Sequence, residues 1–216
     1  MKSAHHLDEA TLVSYCAGSL PEGLAVIAGA HLQQCAGCRE QLRHAERIGG
    51  LLMHGQVPVA APDRRAAMLA RLDEVAPAPA VRPAAPVSDA DLLPVSLHPH
   101  FGQRYSELAW RRLIPGVRMV RAKTIGQGSL VMFNIAPGVS MPVHSHGCSE
   151  LTLVLKGAYR DALGEFGPGD VADLDETIEH QPVAWGDTHC ICVAATDAPL
   201  RFATLIPRLM QPFIGL

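Results

Sequence analysis

The sequence predicts an α + β multidomain chain. A small four-helix domain covers residues 1–76, a Pro/Ala-rich linker covers 77–91, and an antiparallel β-barrel or sandwich covers 92–216. Three observations carry that reading. The run PAPAVRPAAPV, from Pro77 to Val87, alternates four prolines with small residues. It lacks helical donors and apolar bulk and so makes an extended, semi-rigid spacer. The hydrophobic period changes across it, from apolar residues three and four apart to short β-rich segments bounded by turn residues. Finally, 216 residues with 48% hydrophobic and 18% charged side chains are enough for two cores and exclude a mostly disordered chain.

Taken in order, Asp8 is placed to cap a short helix that stops at Gly18, a residue suited to a left-handed C-terminal turn. Ser19, Pro21 and Glu22 mark a second start, with a capping hydroxyl, a first-turn proline and a Glu three residues after the Ser. In this helix Leu24, Ile27, Ala28, His31 and Leu32 share one face. It is expected to end near Cys35, because Ala36-Gly37 reads as a tight turn. A third helix from about Arg39 directs Leu42, Ala45, Gly49 and Leu52 inward, and a fourth, from about Pro62 to Val75, offers Ala67, Leu69 and Leu72. Four short helices make a small core, which a structural metal would reinforce. Downstream, Ser129 to Ala136, Glu150 to Leu155, Ala158 to Asp161 and Cys190 to Ala195 read as strands of an antiparallel domain.

Charge narrows the partners. The formal net charge is −3, and residues 1–75 carry seven basic against eight acidic side chains. A module that grips phosphates shows a basic excess, so this one is expected to hold protein and no nucleic acid directly. No apolar run approaches the roughly 20 residues of a spanning helix, and MKSAHHLDEA has no apolar signal core. A cytoplasmic chain without a membrane partner is expected. In that compartment the six cysteines read as thiols, and those accompanied by His as metal ligands.

His31 and Cys35 lie one helical turn apart, and Cys38 follows after Ala36-Gly37, so three donors converge at the end of the second helix. Tetrahedral zinc takes thiolate and imidazole and needs four donors in a structural site. The pair His5-His6 is the best source of the fourth, with Cys16 a rival whose mid-helix place reads more simply as core. The set resembles the zinc-binding anti-sigma domain, whose pattern is a His followed by HxxxCxxC. That resemblance implies His6, His31, Cys35 and Cys38 as zinc ligands. It also implies a helical domain that wedges into an extracytoplasmic-function sigma factor.

The segment MPVHSHGCSELTLVLKG sets His144 and His146 on one face of a strand with Glu150 four residues on, an arrangement that can bring three donors to one cation. Gly169-Asp170 and then His180 supply a second turn and a late histidine. Together with Gly157 these resemble the two motifs of a cupin barrel. The resemblance implies that His144, His146, Glu150 and His180 bind a divalent metal, with the departure that Gln181-Pro182 follows the last His. A mixed N/O site takes zinc, iron, manganese or nickel. No further acid, base or nucleophile is assigned, so no enzymatic activity is expected. Cys148, Cys190 and Cys192 read as core residues.

The two halves together are similar to the ChrR family of soluble anti-sigma factors, and the similarity extends through the terminal run DAPLRFATLIPRLMQPF. It implies 1:1 binding and inhibition of an extracytoplasmic-function sigma factor by the N-terminal zinc domain. The cupin domain is then needed for release on an oxidative signal, singlet oxygen in the best-known members. The alternative is a cupin metalloenzyme, of dioxygenase or isomerase type, with an accessory structural zinc domain.

Overall fold

The computed structural model describes residues 3–57, 64–74, 89–122, 126, 128–145, 147–198 and 201–202. The Pro77–Val87 spacer, His146 and most of the C-terminal run lie outside the described residues.

Helix α1 (Glu9–Cys16) begins where Asp8 caps it, the Asp8 Oδ1 accepting the Ala10 amide at 2.7 Å. Ser19 does not cap the next helix. Its hydroxyl donates to the Ser14 carbonyl at 3.1 Å, so α2 (Glu22–Gln34) starts behind Pro21 with no side-chain cap. The α2 face expected to be inward is buried in full: Leu24, Ile27, Ala28, His31 and Leu32. Cys35 then takes an extended conformation and α3 (Ala36–His54) follows at once. Ala36-Gly37 is therefore the first turn of a helix rather than a tight turn, and one extended residue suffices to redirect the chain. Along α3, Leu42 and Ala45 are half-buried, whereas Leu52, expected inward, is 68% exposed beside Leu51 at 73%. In α4 (Arg64–Glu74) the described Ala67 and Leu69 are also exposed.

After a short helix α5 (His98–Phe101) the chain turns to strands. These are β1 (Arg111–Ile114), β2 (Val117–Arg121), β3 (Ser129–Ile135), β4 (His144–Ser145), β5 (Glu150–Lys156) and β6 (Ala158–Asp161). They continue with β7 (Gly164–Phe166), β8 (Val171–Leu174), β9 (Val183–Trp185), β10 (Cys190–Thr196) and β11 (Arg201–Phe202). All the pairings between them are antiparallel. The main sheet runs β1-β2-β3-β10-β5-β8, a smaller one runs β7-β6-β9, and β11 pairs with β4.

The central strands are covered on both faces, which explains why β3, β5 and β10 read as nearly continuous apolar runs. One face sends Leu130, Met132, Leu151, Leu153 and Val193 into a cluster with Leu24 and Ile27 of α2. The other sends Val131, Phe133, Val154, Cys190 and Cys192 against Tyr159 and Phe166 of the smaller sheet. Full burial of each such aliphatic side chain is worth about 1.5–3 kcal/mol. Helix α2 thus shares its core with the β-sheet. Residues Met1–Glu46 and Asp91–Leu216 form one compact unit and Arg47–Ala90 a second, a different cut from the one composition suggests. Gly157 turns the chain from β5 to β6 at φ 66°, where a Cβ would run into the His189 carbonyl.

Candidate metal centres

The first cluster forms where α2 meets α3. The last turn of α2 presents His31, the extended Cys35 follows, and Cys38 lies in the first turn of α3. His31 and Cys38 are fully buried and Cys35 nearly so, while His6 arrives from the N-terminal segment and is exposed. The His6 Nδ1 stands 3.2 Å from Cys35 Sγ and 3.6 Å from Cys38 Sγ, and the His31 Nε2 stands 3.2 Å from Cys38 Sγ. Metal–donor bonds of 2.0–2.3 Å in a tetrahedron give donor–donor edges of about 3.5 Å. The spacing therefore fits a four-coordinate thiolate/imidazole ion.

His5 is turned elsewhere. Its ring stacks on Phe166 with centroids 4.0 Å apart, and its Nε2 lies 3.1 Å from the Glu165 carbonyl. Cys16 is exposed and is not part of the cluster.

Burial favours the neutral forms of two of these donors, His31 and Cys38. Burial lowers the pKa of His31, opposed in part by its bond to the Gly169 carbonyl. Burial also pushes the Cys38 thiol up to about 11, with the neighbouring Cys35 thiol adding to the rise. A cation at this point would favour the deprotonated Cys38 thiol, because a buried thiolate is stabilised by an opposite charge.

The second cluster joins His144 on β4, Glu150 at the start of β5, and His180, which pairs with His144 in an isolated bridge. All three are buried, and one donor atom from each lies within 4.8 Å of the others. The His144 Nδ1 donates to the Pro142 carbonyl at 2.8 Å, and the His180 Nδ1 donates to Asp161 Oδ2 at 2.9 Å. Both imidazoles are thereby left with Nε2 lone pairs, and the two Nε2 atoms approach to 3.2 Å. Lone pairs facing each other at that distance suit two nitrogens turned on one cation. His146, the third histidine the sequence suggested, lies outside the described residues.

Several polar groups here escaped the sequence reading. Asp161 ends β6, 19 residues before the histidine it holds, and no local pattern announces it. Tyr159, in the same strand, has a buried hydroxyl with no hydrogen-bond partner among the described residues. Burial raises its pKa well above the ordinary value, and Cys192, Asp161 and Glu150 add to the rise. Cys190 and Cys192 point into the same interior, as their common strand face requires, whereas Cys148 is exposed and is not the core residue expected.

Residues 99–198 match the model of the ChrR cupin-like domain. Over 218 aligned residues the chain is 40% identical to the anti-sigma-E factor ChrR of Cereibacter sphaeroides, with 99% of each covered. Its structure is similar to a chain in the crystal structure of Rhodobacter sphaeroides SigE in complex with the anti-sigma ChrR. The TM-score is 0.75 at 34% identity, covering 91% of this chain and 100% of that one.

Proposed function

The chain belongs to the ChrR family of anti-sigma factors, and from that premise we propose that it binds and silences an extracytoplasmic-function sigma factor as a 1:1 complex in the cytoplasm. Residues 1–76 act as the sigma-binding module, with zinc held by His6, His31, Cys35 and Cys38. Residues 92–216 act as a cupin barrel with a divalent metal on His144, His146, Glu150 and His180, and this part is needed for release on an oxidative signal. The observation that carries the reading is the likeness, over nine-tenths of the chain, to a chain solved with a sigma factor.

The helices offer a surface for such a partner. Ile48, Leu51 and Leu52 fall three and four apart on α3 and are 49%, 73% and 68% exposed. On α4, Met68 and Leu69 are exposed as well. Contiguous apolar stripes left open to water mark interaction sites, because covering them is favourable and leaving them bare is not. No helix among the described residues is long and apolar enough to cross a membrane.

The test is co-expression of the full chain with its cognate sigma factor, then purification, metal analysis and a binding isotherm for wild type and a Leu51→Ala/Leu52→Ala variant. The complex should copurify 1:1, and the variant should bind about tenfold or more weakly, as truncation of interface anchors does. Its melting point should stay near wild type, since both side chains are exposed. Equal affinities would remove α3 from the interface.

A further inference from the structure

The N-terminal His/Cys cluster is surrounded by groups from a distant part of the sequence. The turn between β7 and β8 carries Gly169, whose carbonyl accepts the His31 Nδ1–H at 2.9 Å from a residue 138 positions earlier. The next residue, Asp170, is buried at 6% exposure. Its Oδ1 accepts the amides of Ala4 at 2.6 Å and His5 at 3.1 Å, the two residues before His6. Its Oδ2 accepts the Gly167 amide at 2.9 Å, which fixes the carboxylate in its own turn. Ser3 donates its hydroxyl to the Gly169 carbonyl at 3.1 Å, and the Asp8 amide donates to Asp173 Oδ2 at 2.9 Å. The approach is close enough that a Cβ on Gly169 would lie 3.3 Å from Ser3 Oγ.

We propose that the turn at 167–173 is the outer shell of the His6/His31/Cys35/Cys38 centre. Asp170 is the positioning residue that keeps His6 in reach, and the Gly169 carbonyl is the group that orients His31. Three donors sit at the buried α2/α3 junction, His31 and Cys38 on the helices and Cys35 between them, but His6 rides on the N-terminal segment. A strap already ordered by Asp170 spares metal binding the entropy of ordering it. A carbonyl on Nδ1 fixes the imidazole tautomer and leaves Nε2 as the donor, an outer-shell role that metal-ligating histidines commonly need. The centre therefore depends on residues that belong, by sequence, to the β portion. The proposal rests on the reading that these four residues bind a metal and is independent of the sigma partner.

The probe is cobalt(II) alone, titrated into the full-length chain against a competing chelator. The thiolate-to-cobalt absorption reports the cysteine-containing centre and not the His/Glu cluster. Asp170→Ala should bind cobalt there 10–100-fold more weakly, the usual cost of losing an outer-shell partner. Asp170→Asn, which keeps one acceptor oxygen for the two amides, should fall between it and wild type.

A purely structural role would lower the melting point and weaken both centres alike. A chain lacking residues 1–4 separates these possibilities, because it removes the Ser3 and Ala4 anchors without touching the turn. It should show weaker cobalt binding at the thiolate centre and an unchanged content of metal at the other. Affinities within twofold of wild type in Asp170→Ala and the truncated chain, or equal losses at both centres, overturn the proposal. A wild-type chain that gives no thiolate-to-cobalt band removes the metal reading on which it stands.

Discussion

The first cluster takes three of its four donors from the short stretch His31 to Cys38, whereas the second collects His144 and Glu150 from two strands and His180 from an isolated bridge, its two histidines 36 positions apart. The difference lies in what holds the geometry. At the α2/α3 junction, helical spacing and one extended residue at Cys35 bring two buried thiols together, and burial raises the pKa of Cys38 against the opposing backbone hydrogen bond at Leu7. In the β portion, a ladder of strand pairs sets the donors, with Glu150 placed opposite both Thr196 and Leu174. On this geometry the second site is expected to keep its shape without a metal, while the first is expected to need one for its fold.

The strongest way to break that contrast is Cys35→Ser with Cys38→Ser. Structural zinc in small domains contributes apparent free energies of about 10–16 kcal/mol at neutral pH, comparable to the whole stability of a domain. The double variant should lose the thiolate-bound metal and much of the helical circular dichroism. The strand signal should persist, because the sheet keeps its second apolar face against Tyr159 and Phe166. Loss of strand and helix signals in one transition would show that the sheet depends on the metal too. Chelator added to wild type should reproduce the same selective change.

A smaller effect is expected at the second centre. Asp161 holds the His180 ring through a buried carboxylate–imidazole contact, the two side chains being 0% and 2% exposed. Asp161→Asn keeps an oxygen to accept from Nδ1 but removes the charge, so the affinity of that centre for a divalent metal should fall about 10–100-fold. The thiolate centre should be unaffected. Metal analysis after dialysis against graded chelator measures both at once, and a parallel loss at the two sites would erase the distinction drawn between them.

The two regions also differ in how much of them could be read from the sequence. His31, Cys35 and Cys38 were legible because helical spacing is a local rule, and the α2 face from Leu24 to Leu32 followed from the same rule. His6 could be preferred to His5 only through the family resemblance, since adjacent residues point apart and nothing local says which points inward. Strands β3, β5, β6 and β10 were visible as β-rich runs, but β1 and β2 were not. Arg111 and Arg112 on the edge strand β1, and Arg118 and Arg121 on its neighbour β2, interrupt the apolar pattern there. The inward side assigned to Leu52 failed because the apolar stripe of an amphipathic helix does not say what covers it. Asp161 and Asp170 were illegible as site residues because their roles depend on partners 19 and more than 160 positions away.

The smallest expected effect sharpens the comparison along the strap itself. Asp173, on β8, accepts the Asp8 amide, and burial raises its pKa, with the charges of Asp8 and Asp175 adding to the rise. A raised folded-state pKa means that the native chain holds this proton more tightly than the unfolded chain. Its contribution is therefore neutral below the unfolded value, becomes unfavourable as pH climbs through the raised value, and is a full penalty at pH 7. Asp175 nearby runs the other way. The Thr177 hydroxyl and amide lower its pKa, so its contribution is present at neutral pH and lost on acidification. Comparing Asp173→Asn with wild type isolates the first group from the second, and the amide retains an oxygen for the Asp8 N–H. The variant should melt slightly higher than wild type at pH 7, and the gap should close as pH falls below the unfolded value near 4. Thermal scans at the two pH values decide it. A variant that melts lower than wild type by the same amount at both would mean that the carboxylate anchors the strap by shape and hydrogen bonding alone, with no electrostatic penalty to relieve.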